Sequence, residues 1–147
     1  MSKSVLIIAG KFNDLITRSL VDGANDVLKE GGYKEDKIAL MWVPGAYEMP
    51  GLAAKAARSG KFDAVICLGA VIRGATAHFD YVAGPCASGL MSVSVETEVP
   101  VIFGVLTTDT VEQALNRAGL KLGNKGAESA ETALRMIETY KKIDSWS

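Results

Sequence analysis

Histidine is nearly absent from this sequence, which holds one, His78, beside two cysteines and four prolines in 147 residues. Cys67 and Cys86 have no metal-ligand spacing between them, and both read as reduced, buried packing residues. Long apolar runs are missing as well, since none approaches the roughly 20 residues that a membrane span requires. The stretch after Met1-Ser2-Lys3 ends at Gly10 and reads as a first strand rather than a signal peptide, which suits a cytoplasmic protein. Neither sign of charge is in excess, with 16 Lys and Arg against 17 Asp and Glu and a formal net charge of -1. Nucleic acid and anionic membranes need clustered Lys and Arg, so neither is expected as a partner. The GxxxxGK and GxGxxG signatures do not occur, which disfavours ATP and NAD.

What is present has an ordinary globular balance, 48% apolar and 22% charged,. At this length a single core buries most of the surface that the unfolded chain exposes, and residues 1–147 read as one domain without internal repeat, low-complexity stretch or linker. Four runs rich in Val, Ile and Leu recur: Val5 to Ala9, Ile38 to Val43, Ala64 to Leu68 and Val101 to Leu106. None alternates apolar with polar, so each predicts a strand buried on both faces. Between them the period is helical. Ile16, Leu20, Ala24, Val27 and Leu28 share a face of a helix stopped by Gly31-Gly32, and Leu52, Ala53, Ala56 and Ala57 mark a second with Pro50 in its first turn. Val82, Cys86, Leu90 and Val93 mark a third, ending before Pro100. Thr110 and Gln113 have capping-box spacing for a short helix that stops at Gly119. Ala130, Ala133, Leu134, Ile137 and Tyr140 share the buried face of a last, longer one. Strands alternating with helices predict a three-layer α/β/α sandwich around a parallel four-stranded sheet, with right-handed crossovers.

In such sheets ligands bind beyond the carboxyl ends of the strands, where the chemically equipped residues of this sequence collect. The third strand end, Gly69 to Val82, reads GAVIRGATAHFDYV and is the most informative. Gly74, Ala75 and Thr76 are small enough to let an anion approach consecutive backbone N–H groups, and the Thr76 hydroxyl adds a donor; a Gly-containing surface turn accounts for the same residues. His78 follows two residues later, and histidine is the side-chain type suited to acid–base catalysis near neutrality. Asp80 either orients it or caps the helix beginning nearby, and capping ranks first. Arg73 and Arg117 are candidates for a guanidinium clamp on phosphate. Arg117 opens a stretch reaching Gly126 that holds three cations and three glycines, which a solvated basic loop would also explain. Phe12, Tyr47 and Phe103 lie in or next to the strand ends and can stack on a flat heteroaromatic ligand or belong to the core. Glu48, after Pro44-Gly45, can accept hydrogen bonds from a ring N–H or support the first turn of its helix.

Phe12-Asn13, Val43-Pro-Gly-Ala-Tyr-Glu48, the Gly69 to Val82 segment, Phe103-Gly104 and Glu112-Gln-Ala114 through Arg117 to Gly126 together resemble the 6,7-dimethyl-8-ribityllumazine synthase family, in order and with the family's spacing. The resemblance covers nearly the whole chain. It implies a flavodoxin-like α/β fold and assembly from pentamers, up to sixty-subunit shells, with active sites between neighbouring subunits. It also implies the penultimate step of riboflavin synthesis: condensation of 5-amino-6-(D-ribitylamino)uracil with 3,4-dihydroxy-2-butanone 4-phosphate, without metal or organic cofactor. Under it Phe12 stacks on the pyrimidine, Ala46, Tyr47 and Glu48 contact the pyrimidine and ribityl chain, and Ala70, Val71 and Ile72 contact the ring largely through backbone. Phe103 lines the pocket from a neighbour, Ala75 and Thr76 hold the phosphate, Arg117 of the neighbour clamps it, and His78 matches the catalytic histidine. Lys121 and Lys125 add positive potential near the phosphate. Two departures stand out. The chain enters its first strand almost at once, without much of the N-terminal extension that many relatives use between subunits, which leaves the size of the assembly open; and Tyr47 stands where relatives carry other aromatic residues.

Three rival readings are weighed against this one. An archaeal-type riboflavin synthase shares the Pro-Gly signature after the second strand but needs no phosphate pocket. A non-catalytic flavin-binding or shell-forming protein could dispense with His78 and the clamp. A Schiff-base lyase using Lys125 needs a buried lysine, which a Gly-rich basic loop does not advertise.

Overall fold

The computed structural model describes residues 3–74 and 78–147. Strand β1 (Ser4–Gly10) leads into helix α1 (Asp14–Glu30), then β2 (Ile38–Val43), α2 (Met49–Arg58), β3 (Phe62–Ile72), α3 (His78–Thr97), β4 (Val101–Thr108), the short α4 (Val111–Asn116) and α5 (Lys125–Asp144). The strands form one sheet in the order β2-β1-β3-β4, and every neighbouring pair is parallel. That is the order of a flavodoxin-like sheet short of a fifth strand, with its switch point between β1 and β3.

The absence of alternation in the central strands has a direct cause, because both faces of the sheet are covered. Val5, Ile7 and Ala9 belong to a core shared with Ile16, Leu20, Ala24 and Leu28 of α1 and Ala130, Ala133 and Ile137 of α5. The intervening Leu6 and Ile8 belong to a second core with Met49, Ala53 and Ala57 of α2 and Cys86, Leu90 and Val93 of α3. The three-layer sandwich expected from the sequence is therefore present. Thr110 and Gln113 make the full capping box at α4: the Thr110 hydroxyl accepts from the Gln113 amide at 3.1 Å, and the Gln113 side chain accepts from the Thr110 amide at 3.3 Å,.

Two expectations need correction. The run Ile38 to Val43 is a strand, but an edge strand paired only with β1, so Leu40 and Met41 are 43% and 46% exposed rather than buried on both faces. Composition does not tell an edge from a centre. The third strand also runs four residues past Leu68: Gly69 to Ile72 continue the ladder because β4 pairs with them as far as Ile72 opposite Thr108. Much of the segment read as a loop is thus strand at one end and helix α3 at the other.

Cys67 and Cys86 both sit in the second core, fully and almost fully buried. Burial removes the thiolate from water and pushes both thiols up, Cys86 to about 11,. A thiol that ionises less readily when folded contributes stability that is fully present below its ordinary value of 9.0 and is lost as the pH rises through the folded value,. The melting temperature is therefore expected to fall between about pH 9 and pH 11, less steeply in Cys86→Ala, while thiol reagents at neutral pH label the folded protein much more slowly than the unfolded chain. Equal labelling of both states would contradict the buried placement.

Candidate functional site

The carboxyl ends of β1, β2 and β3 build one group of residues. Lys11 and Phe12 donate their amides to the carbonyls of Val43 and Pro44, at 2.9 and 3.2 Å, which ties the loop after β1 to the turn after β2. The Phe12 ring lies against Gly45, so closely that a β-carbon there would come within 2.8 Å of it and 3.6 Å of a Glu48 carboxylate oxygen. Gly45 is therefore the floor on which Phe12 and Glu48 meet. Both aromatic rings face outward, Phe12 at 71% and Tyr47 at 67% exposed, which removes the core-packing reading for each. Ala46 is buried beneath them, in a short 3-10 turn leading into α2. Glu48 directly precedes α2, and its side chain accepts no capping hydrogen bond.

Asn13 closes the switch point itself. It holds a left-handed backbone at φ 59°, a conformation asparagine tolerates,, and its side-chain amide donates to the Ala70 carbonyl at 3.2 Å, across the crevice from β1 to β3. Ala70 is buried, and Val71 and Ile72 are half-buried at the end of β3. Expectation placed all three in a loop; they occupy the last rungs of a strand, which presents their backbone to the crevice in a rigid frame.

On the other edge of the sheet, Phe103 of β4, Arg117 at the end of α4 and Lys125 at the start of α5 line one open cavity of about 600 Å³. The stretch from Arg117 to Gly126 is not a loose basic loop. Gly119 and Gly123 turn it at positive φ, the Gly119 amide donates to the Gly123 carbonyl at 2.8 Å, and the Lys125 amide donates to the Arg117 carbonyl at 2.8 Å. This folding back sets two cations eight positions apart in sequence on one cavity wall. Among the described residues no ion pair engages either of them, and the one acid lining the same cavity, Asp109, is paired with Arg73, so both cations are open to an anion,. Lys121 is exposed and does not line the cavity.

Arg73, a candidate phosphate clamp, is already occupied. Its Nε donates to Asp109 at 3.0 Å, an Nη lies 3.7 Å from Asp80, and the guanidinium sits 4.3 Å above the Phe79 ring. Asp80 lies in the first turn of α3, not ahead of the helix where a cap residue belongs. His78 is the first residue of α3 and is exposed. Ala75 and Thr76, the expected phosphate-binding pair, lie outside the described residues.

The expected residues therefore gather in two groups on opposite halves of the sheet edge: Phe12, Ala46, Tyr47, Glu48 and Ala70 to Ile72 in one, Phe103, Arg117 and Lys125 in the other. The sequence reading missed Asn13 and Asp109 as positioning groups and Gln113, Asn116 and Leu122 as cavity lining. An asparagine directly before a helix and an acid directly before a capping box were the available signals. Among the described residues no group of His, Cys, Asp and Glu is arranged to hold a metal ion, and no helix is long and apolar enough to cross a membrane. In comparison with known families, the model described as 6,7-dimethyl-8-ribityllumazine synthase matches residues 2–141.

Proposed function

The chain belongs to the 6,7-dimethyl-8-ribityllumazine synthase family, and from that premise we propose that it condenses 5-amino-6-(D-ribitylamino)uracil with 3,4-dihydroxy-2-butanone 4-phosphate to the lumazine, releasing phosphate and water. The observation that carries the reading is a family match extending over almost the entire chain. It makes the protein a transferase of riboflavin biosynthesis. Geometry supports the finer assignment: an outward aromatic shelf of Phe12 and Tyr47 beside Glu48 suits a flat, hydrogen-bonding pyrimidine, and a cavity walled by Arg117 and Lys125 suits a phosphate,.

These two surfaces lie on opposite halves of one chain's sheet edge. A complete site then needs the shelf of one subunit and the cationic wall of the next, so the working enzyme is a homo-oligomer, built from pentamers under the family resemblance. In the proposed course, the 5-amino nitrogen attacks the ketone carbon and water leaves to form an imine. Loss of a proton from the adjacent hydroxyl-bearing carbon with departure of phosphate from its neighbour leaves an enol that ketonises; the ribitylamino nitrogen attacks this new carbonyl, and a second loss of water closes the ring. Each step moves protons, a role we assign to His78, which lies two residues after Thr76 in sequence; Ala75 and Thr76 are assigned to the phosphate,. Fixing two reactants together supplies the larger part of the acceleration, since good orientation is worth roughly 7 to 11 kcal/mol.

The test mixes purified protein with both substrates and follows lumazine absorbance after subtraction of the uncatalysed reaction. Wild type is expected to form product without added metal, and His78→Ala to be slower by about 10²-fold, the lower end for general acid–base catalysis. A folded wild type with no turnover above the blank would remove the proposal.

A further inference from the structure

Arg73 has more partners than a phosphate clamp should, and they all belong to structure around the site. Its backbone amide donates to the Thr108 carbonyl at 2.8 Å, which fixes it at the joined ends of β3 and β4. Its Nε reaches Asp109 at 3.0 Å, and the Asp109 amide in turn donates to Gln113 Oε1 at 2.8 Å, within the capping box of α4. From the other side its guanidinium holds the first turn of α3, lying 4.3 Å over Phe79 and 3.7 Å from Asp80. In sequence, Arg73 directly precedes the connection between β3 and α3, and Phe79 and Asp80 follow it, with His78 beside them. A guanidinium has both a flat face for stacking and a fork for carboxylates, and here it uses both.

We propose that Arg73 is a positioning residue: with Asp109 it forms a clasp that joins α4 to the first turn of α3 and so holds His78 and the start of α3 in register with the strand ends. The proposal rests on the functional reading above and deepens it, because it moves Arg73 from ligand contact to support. Exposed ion pairs add little to global stability, and the Arg73 side chain is 47% exposed. The effect of the clasp therefore falls on local order and on catalysis, not on the melt.

The experiment compares Arg73→Met, Arg73→Lys and Asp109→Asn with wild type, reading kcat, KM for the phosphorylated substrate, and amide hydrogen exchange at residues 78–82. A clasp predicts that Arg73→Met lowers kcat about tenfold, in keeping with the cost of small misplacements, and speeds exchange at 78–82 with the melting temperature almost unchanged. Arg73→Lys rescues neither quantity, since an ammonium has no fork and no flat face. Asp109→Asn shifts both in the same direction by a smaller factor. A phosphate contact predicts otherwise: Arg73→Lys restores most of the activity, and Asp109→Asn leaves kcat unchanged or raised while KM falls. Either of those results overturns the clasp, as does exchange that quickens without a fall in kcat. The exchange arm needs no substrate, so an inactive wild type would count against the functional reading while exchange still decides whether Arg73 orders α3.

Discussion

Gly126→Val is expected to abolish cooperative folding, and Gly126→Ala to destabilise the chain by roughly 3 kcal/mol or more, at or beyond the upper end for overpacked core sites. The reason is backbone against backbone. A β-carbon at Gly126 would overlap the carbonyl and α-carbon of Leu20, the fully buried centre of α1, and neither can rotate away. This is where α5 begins and where it docks on α1. Asn124 secures the same point: its side chain accepts from the amides of Gly126 and Ala127 at 2.8 and 3.1 Å and donates to the Ser19 carbonyl at 3.0 Å. Loss of this approach would separate α5 from α1 and open the core that holds Leu20, Ala24, Ala130 and Ala133. Since a whole domain is stable by only about 5 to 15 kcal/mol, an effect of that size is a large fraction of the total.

The control is Gly31→Ala. A β-carbon there would come within 2.6 Å of Leu134, but of a terminal methyl carbon, and φ at Gly31 is -79°, which alanine adopts freely. Leu134 can turn aside, so the cost is expected to stay near 1 kcal/mol, the lower end of the overpacking range. Thermal melts of the two alanine variants against wild type check the contrast. Equal melting temperatures for Gly126→Ala and Gly31→Ala would refute the account of the α1–α5 contact.

Gly126 also shows why the sequence was legible in some places and not in others. Strands and helices that bury their own apolar residues could be read locally, and the capping box of α4 needed only Thr110 and Gln113. Gly126 appeared merely as one of three glycines in a basic stretch, because the residue that forbids its side chain, Leu20, lies at the far end of the chain. The end of β3 was misplaced for the same reason: β4, not the composition of Gly69 to Ile72, extends the strand. Site residues divide along this line. Phe12, Glu48 and Asp109 all stand out by their position after strands, whereas the role of Asp109 as the partner of Arg73 depends on a contact 36 residues away in sequence. The edge character of β2, with Leu40 and Met41 half-exposed, was invisible because a buried and an edge strand can share one composition.

Arg117→Ala is expected to raise KM for the phosphorylated substrate by roughly 10²-fold, the size of a lost charge-assisted hydrogen bond, with a smaller change in KM for the pyrimidine. Arg117 stands on the cavity wall beside Lys125, on the opposite half of the sheet edge from Phe12 and Glu48. If neighbouring subunits share each site, the defects of Arg117→Ala and His78→Ala reside in different chains. Unfolding and reassembling the two variants together should then restore activity, because some sites receive His78 from one chain and Arg117 from the other. With random mixing at equal amounts, about a quarter of the sites are intact in a closed ring with one shared site per interface. Each variant reassembled alone stays low. If activity in the mixture only averages the two variants, while the untagged variant co-purifies with an affinity-tagged copy of the other and so shows that mixed oligomers have formed, the two residues act within one chain. In that case His78 and Arg117 would complete the site within one chain, and no neighbour would be needed to bring them together.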